Sequence, residues 1–79
     1  MLALRYYRLK LGWTQTTLGR AAGVDAVRIC EIERGRRKPT ERTLTRLASA
    51  LGVTHAFTLL RHVEVTHEEI AFKDEQVSA

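Results

Sequence analysis

"TQTTLGRAAGVDAVRICEIERG", residues 14–35, decides the fold. Thr14 is a natural N-cap for a helix over Gln15 to Ala22, with Leu18 and Ala21 or Ala22 facing inward. Gly23 stops that helix and permits the positive φ of a tight turn. Val24 is placed to plug the gap between two helices, and Asp25 caps the next one. In that next helix Ile29, Ile32 and Glu33 share a face, and Gly35 ends it. Gly19 sits mid-helix, where glycine costs roughly 1 kcal/mol relative to alanine. A close approach by the following helix would explain its presence. The stretch therefore reads as two short helices joined by Gly23-Val24-Asp25.

Working outward, the same grammar repeats. Leu4, Tyr7, Arg8 and Leu11 lie at i, i+3, i+4 and i+7 on one face of a first helix, which Gly12 terminates. Pro39 biases its predecessor away from helix, so Arg36 to Lys38 form a loop. Thr40 caps a fourth helix with the stripe Leu44, Leu47, Ala48 and Leu51, closed by Gly52. Thr54 is placed to cap a short fifth helix with Phe57 and Leu60 inward. No segment before residue 62 alternates with period 2. The expectation is an all-α, compact four- to five-helix domain over residues 1–61, followed by a C-terminal extension, 62–79, forming a short strand, a helix or both.

Seventy-nine residues make one small domain at most. There is no long apolar run for a membrane span and no apolar core behind the basic start for a signal peptide. A lone Cys30 excludes an internal disulfide and a cysteine-built zinc site. A reduced, cytoplasmic protein is the expectation. His55, His62 and His67 have no carboxylates or cysteines at helical spacing to complete a metal site, and no nucleophile–base–orienter trio is visible. No enzyme activity, metal or cofactor is expected. Charge is unevenly spread: residues 1–61 hold 12 of the 13 Lys and Arg against four acids, a net +8, while residues 62–79 hold one lysine against five acids, a net −4. A basic body of this kind suits nucleic acid.

Taken together, "RLKLGWTQTTLGRAAGV", "IERGRRKPT" and "TLTRLASALGV" resemble the lambda-repressor-like, or Xre/Cro-type, helix-turn-helix DNA-binding family over roughly residues 2–60. The resemblance rests on the ordered set Arg8, Gly12, Thr14-Gln15, Leu18, Gly23-Val24, Ile29, Ile32-Glu33, Gly35, Pro39 and Leu51-Gly52-Val53. It implies a DNA-binding regulator whose third helix enters the major groove. It also implies that Arg8 and Glu33, both on inward faces, form a buried ion pair, since either charge alone would be expensive to bury. The sequence departs from the family at Asp25-Ala26-Val27-Arg28, where glutamine or serine is common, and at Cys30, where serine or threonine is usual.

Contacts can be assigned on this basis. Arg34, Arg36, Arg37, Lys38 and Arg42 crowd around the end of the third helix. Such a run is either a solvated cluster or a phosphate-binding surface, and its place beside the presumed groove-reading helix favours phosphate. Thr40 could add its hydroxyl and main-chain N–H groups to the same phosphates. Gln15, an exposed helix starter by pattern alone, becomes a phosphate contact by the resemblance. In the third helix Arg28 can donate twice to guanine, Ala26 and Val27 can touch a thymine methyl, and Glu31 can accept from cytosine. Glu31 could equally pair with Arg28 or Arg34 at i±3, and Arg28 could instead hold a phosphate. Tyr6, Tyr7 and Trp13 fit packing better than base stacking, and Cys30 fits packing.

The function expected is a sequence-specific DNA-binding transcriptional regulator, a homodimer on a two-fold-related operator of double-stranded DNA. Rivals are an antitoxin that binds a toxin and represses its own operon, and a restriction–modification controller. The extension "HVEVTHEEIAFKDEQVSA" offers Val63, Val65, Ile70 and Phe72 for dimerisation. Val63 and Val65 could pair as a strand across a dyad. Thr66 and Glu69 form a capping box, with Val65 and Ile70 as its staple, that would start a helix near residue 67. A disordered acidic tail is the alternative.

Overall fold

Each of the three central helices begins on an oxygen that the sequence supplies. The computed structural model describes residues 1–64. Its elements are α1 (Ala3–Lys10), α2 (Gln15–Ala22), α3 (Ala26–Glu33) and α4 (Glu41–Leu51), followed by a 3-10 helix, Ala56–Leu60. Thr14 Oγ1 accepts from the Thr17 N–H at 2.9 Å, Asp25 Oδ1 from the Val27 N–H at 2.9 Å, and Thr40 Oγ1 from the Thr43 N–H at 3.1 Å. These caps satisfy N–H groups that a helix start leaves without a partner in the helix itself.

α1 has no side-chain cap. Its first N–H, from Ala3, donates instead to the Arg61 carbonyl at 2.7 Å. The Val63 N–H donates to the Met1 carbonyl at 2.8 Å, and the Met1 amine returns a bond to the Val63 carbonyl at 3.0 Å. Leu2 and His62 thereby form an antiparallel bridge. The folded body thus runs through Val63, two residues beyond the boundary expected from composition. The strand-forming tendency of Val63 is met within its own chain, because both of its main-chain groups are taken by Met1. Val65, Ile70 and Phe72 lie outside the described residues.

The core gathers one stripe from each helix: Leu4, Leu18, Val24, Ile29, Ile32, Leu44, Leu47, Ala48 and Leu59. α2 packs on α3 and α4, and the 3-10 helix closes the bottom against α1 and α4. Burying such aliphatic side chains contributes about 1.5–3 kcal/mol each relative to exposure. Helices of 8 to 11 residues need that packing, since none would persist alone.

Two details differ from the sequence reading. Residues 56–60 coil as a 3-10 helix, capped by no side chain, so Thr54 does not start it. Its three-residue period aligns Ala56 with Leu59, which is fully buried, and turns Phe57 outward to 67% exposure, while Leu60 only lies against the core. In α1 the helix ends at Lys10, so Leu11 leaves the apolar face and is exposed, while Leu9 is fully buried in its place. In α2, of the two alanines that the sequence offered, Ala22 packs against the core and Ala21 is exposed.

Candidate nucleic-acid interface

The angle between α2 and α3 is set by the turn between them. Gly23 adopts φ +70°, a conformation that other residues reach only with strain. Val24 is buried beneath the corner. A Cβ on Gly19 would lie 2.5 Å from the Val24 carbonyl oxygen and 3.5 Å from the Ala26 nitrogen, so only glycine lets the turn press this closely onto α2. That close approach fixes which face of α3 remains open.

The open face carries Val27, 64% exposed, and Arg28, exposed, with Ala26, Cys30 and Glu31 partly covered beside them. Ala26, Val27, Cys30 and Glu31 form one wall of a groove of about 630 Å³. Arg5 and Arg8 of α1, Thr14, Gln15 and Thr16 at the start of α2, and Arg34 line the rest of it. Ala26, Val27 and Glu31 therefore share the groove-lining face, opposite the buried Ile29 and Ile32, while Arg28, the fourth expected base reader, is exposed outside that lining. Arg34, Arg36, Arg37, Lys38 and Arg42 are all exposed.

Beneath this surface lies the Arg8–Glu33 pair. Arg8 Nε donates to Glu33 Oε2 at 2.8 Å and Arg8 Nη2 to Glu33 Oε1 at 3.0 Å, with the side chains 5% and 4% exposed. Arg8 Nη1 donates to the Trp13 carbonyl at 2.8 Å. A two-point fork on a carboxylate is the strongest geometry such a pair can take, and it ties α1 to α3. The ion pair that the sequence suggested is present, and Trp13 is drawn into it through its main chain.

Other expected contacts acquire partners that the sequence did not reveal. Gln15 Nε2 donates to Glu33 Oε1 at 3.1 Å, so this residue buttresses the ion pair while it borders the groove. That bond uses one of the two N–H groups of the amide. Thr40 Oγ1 both caps α4 and donates to Thr43 Oγ1 at 3.0 Å. A phosphate at this helix start would meet main-chain N–H groups rather than the Thr40 hydroxyl. Glu31 pairs with neither Arg28 nor Arg34. It accepts from Arg37 Nε at 3.2 Å, because the chain after α3 turns back on itself: the Arg36 N–H reaches the Glu31 carbonyl at 2.8 Å and the Gly35 N–H reaches Ile32 at 3.0 Å. That double bond pattern around a glycine is a Schellman turn. Tyr6 and Tyr7 meet edge to face at 5.7 Å, with Lys10 over the Tyr6 ring.

Among the described residues, no group of three or more His, Cys, Asp or Glu side chains could hold a metal ion, and no helix is long and apolar enough to cross a membrane. A family model described as helix-turn-helix matches residues 4–57. Neither the curated proteins nor the solved structures gave a match.

Proposed function

The chain belongs to the helix-turn-helix family of lambda-repressor (Xre/Cro) type, a non-catalytic DNA-binding family, and from that premise we propose that it is a sequence-specific transcriptional regulator with α3 in the major groove. One observation carries this reading. Ala26, Val27 and Glu31 of α3 line an open groove together with Arg34, and exposed cations follow along the loop after the helix. Arg28 is the principal base reader, with Ala26 and Val27 against thymine methyl groups. Gln15, Arg34, Arg36, Lys38 and Arg42 hold phosphates and set the register.

A single α3 spans only a few base pairs, so a two-fold pair of chains on half-sites about 34–36 Å apart would supply the missing specificity. We place self-association in the segment after Val63, through Val65, Ile70 and Phe72. Phe57, an exposed aromatic a few residues upstream, supports an apolar contact near this part of the chain. The outward edge at the bridge belongs to His62 and Glu64, since Val63 faces Met1.

Selection from a pool of random duplexes tests the reading. The purified chain should enrich one motif with two-fold symmetry and bind it at least about 10³-fold more tightly than a scrambled duplex. Equal affinity for every duplex would refute sequence-specific regulation.

A further inference from the structure

Glu31 poses an electrostatic problem that its neighbours solve. Glu31 and Glu33 are the acids of α3, and Glu33 is spent inside the buried pair with Arg8. Glu31 is left at the groove, where DNA phosphates would repel it. Its carboxylate is held by Arg37, which arrives from beyond the helix because the Schellman turn at Gly35, φ +74°, folds the loop back over α3.

This geometry is informative about Arg37. The bond to Glu31 uses Arg37 Nε alone and leaves both terminal nitrogens unengaged with Glu31. A guanidinium held by its Nε presents the planar fork that matches guanine O6 and N7. The other loop cations, Arg36 and Lys38, have no such tether to the reading face.

We propose that Glu31 and Arg37 act as one reading unit: Glu31 neutralises its own charge by aiming the Arg37 guanidinium at a base edge, and Arg37 sets specificity rather than merely holding a phosphate. This inference rests on the DNA-binding reading above. It reassigns two residues, since Arg37 by its loop position would be a phosphate ligand and Glu31 by its helix position would read cytosine directly. An exposed pair of this kind is worth little in water. It strengthens when the groove is filled and solvent is displaced.

Random-duplex selections with the wild-type chain, Arg37→Ala, Arg37→Lys and Glu31→Ala test the unit, with salt titrations of each on the wild-type motif. All three substitutions are at surface positions. Arg37→Ala should lose roughly 5- to 150-fold of discrimination at one guanine-bearing base pair per half-site. Glu31→Ala should relax the same base pair, and Arg37→Lys should not restore it, because an ammonium lacks the fork. The unit is overturned if Arg37→Ala keeps the wild-type motif, loses affinity evenly across sequences and lowers the slope of log K against log salt by about one. It is also overturned if Glu31→Ala and Arg37→Ala relax different base pairs. A wild-type chain that enriches no motif would instead overturn the DNA-binding reading beneath it.

Discussion

Glu33→Leu should destabilise the domain by about 3–5 kcal/mol, because it strands a buried cation. The structure sets out what is lost. Arg8 gives up its two bonds to Glu33 and keeps the one to Trp13, while remaining almost wholly out of water. Gln15 loses its acceptor as well. Arg8→Met makes the complementary error, leaving the Glu33 carboxylate with Gln15 alone and the Trp13 carbonyl without its donor. For a chain of this size the whole stability is about 4–12 kcal/mol, so either single change removes a large part of it. The melting temperature should fall by about 4–8 °C for each kcal/mol. Combining Arg8→Met with Glu33→Leu removes both charges. What remains unpaired is the Trp13 carbonyl and the Gln15 amide, at about 1 kcal/mol each, so the double variant should lose only about 1–3 kcal/mol. Urea unfolding followed by circular dichroism at low temperature measures all three. A double variant whose loss equals the sum of the singles would refute the coupling, and with it the ion pair as the tie between α1 and α3.

Gly19→Ala should destabilise by about 1–3 kcal/mol despite alanine's better helix propensity, since the new methyl meets the Val24 main chain; a stabilised variant in the same urea assay would contradict the tight turn. Arg36→Ala and Lys38→Ala should each weaken specific and non-specific DNA binding alike, with the slope of log K against log salt smaller by about one; unchanged slopes in anisotropy titrations would remove these residues from the phosphate contacts. Arg28→Ala should cost about 1–3 kcal/mol on the preferred motif and relax one base pair per half-site, whereas a uniform loss across sequences would make it a phosphate ligand. Truncation after Glu64 keeps the Met1–Val63 bonds, so it should leave a folded monomer with lost cooperativity on a full two-fold site; a truncated chain that still sediments as a dimer would move the interface into the folded body.

The helices were legible because their punctuation is local. Thr14, Asp25 and Thr40 cap within three residues of themselves, and a glycine follows each of the four α-helices within two residues, so a short window of sequence contains the whole cause. The Arg8–Glu33 pair was legible through family resemblance and face periodicity together. What escaped depends on contacts distant in sequence or on helix type. Gln15 and Glu33 are 18 residues apart and meet only once α2 and α3 cross. The Glu31–Arg37 pair needs a reversal of the chain that i±3 reasoning does not contain. Phe57 was assigned inward because a choice between 3.6 and 3.0 residues per turn moves it across the surface, and five residues carry too little pattern to make that choice. The pairing of residues 61–63 with the N-terminus was hidden because a single bridge leaves no alternating signature.

We propose that α3 reads DNA from the major groove. Dimethyl sulfate modification of the selected duplex tests it directly, since the reagent methylates guanine N7 in the major groove and adenine N3 in the minor groove. Bound protein should protect guanine N7 within each half-site, and Arg28→Ala should release one of those guanines, with adenine N3 of neighbouring A·T pairs still reactive. Protection confined to adenine N3, or guanine N7 reactivity unchanged by saturating protein, would contradict the account.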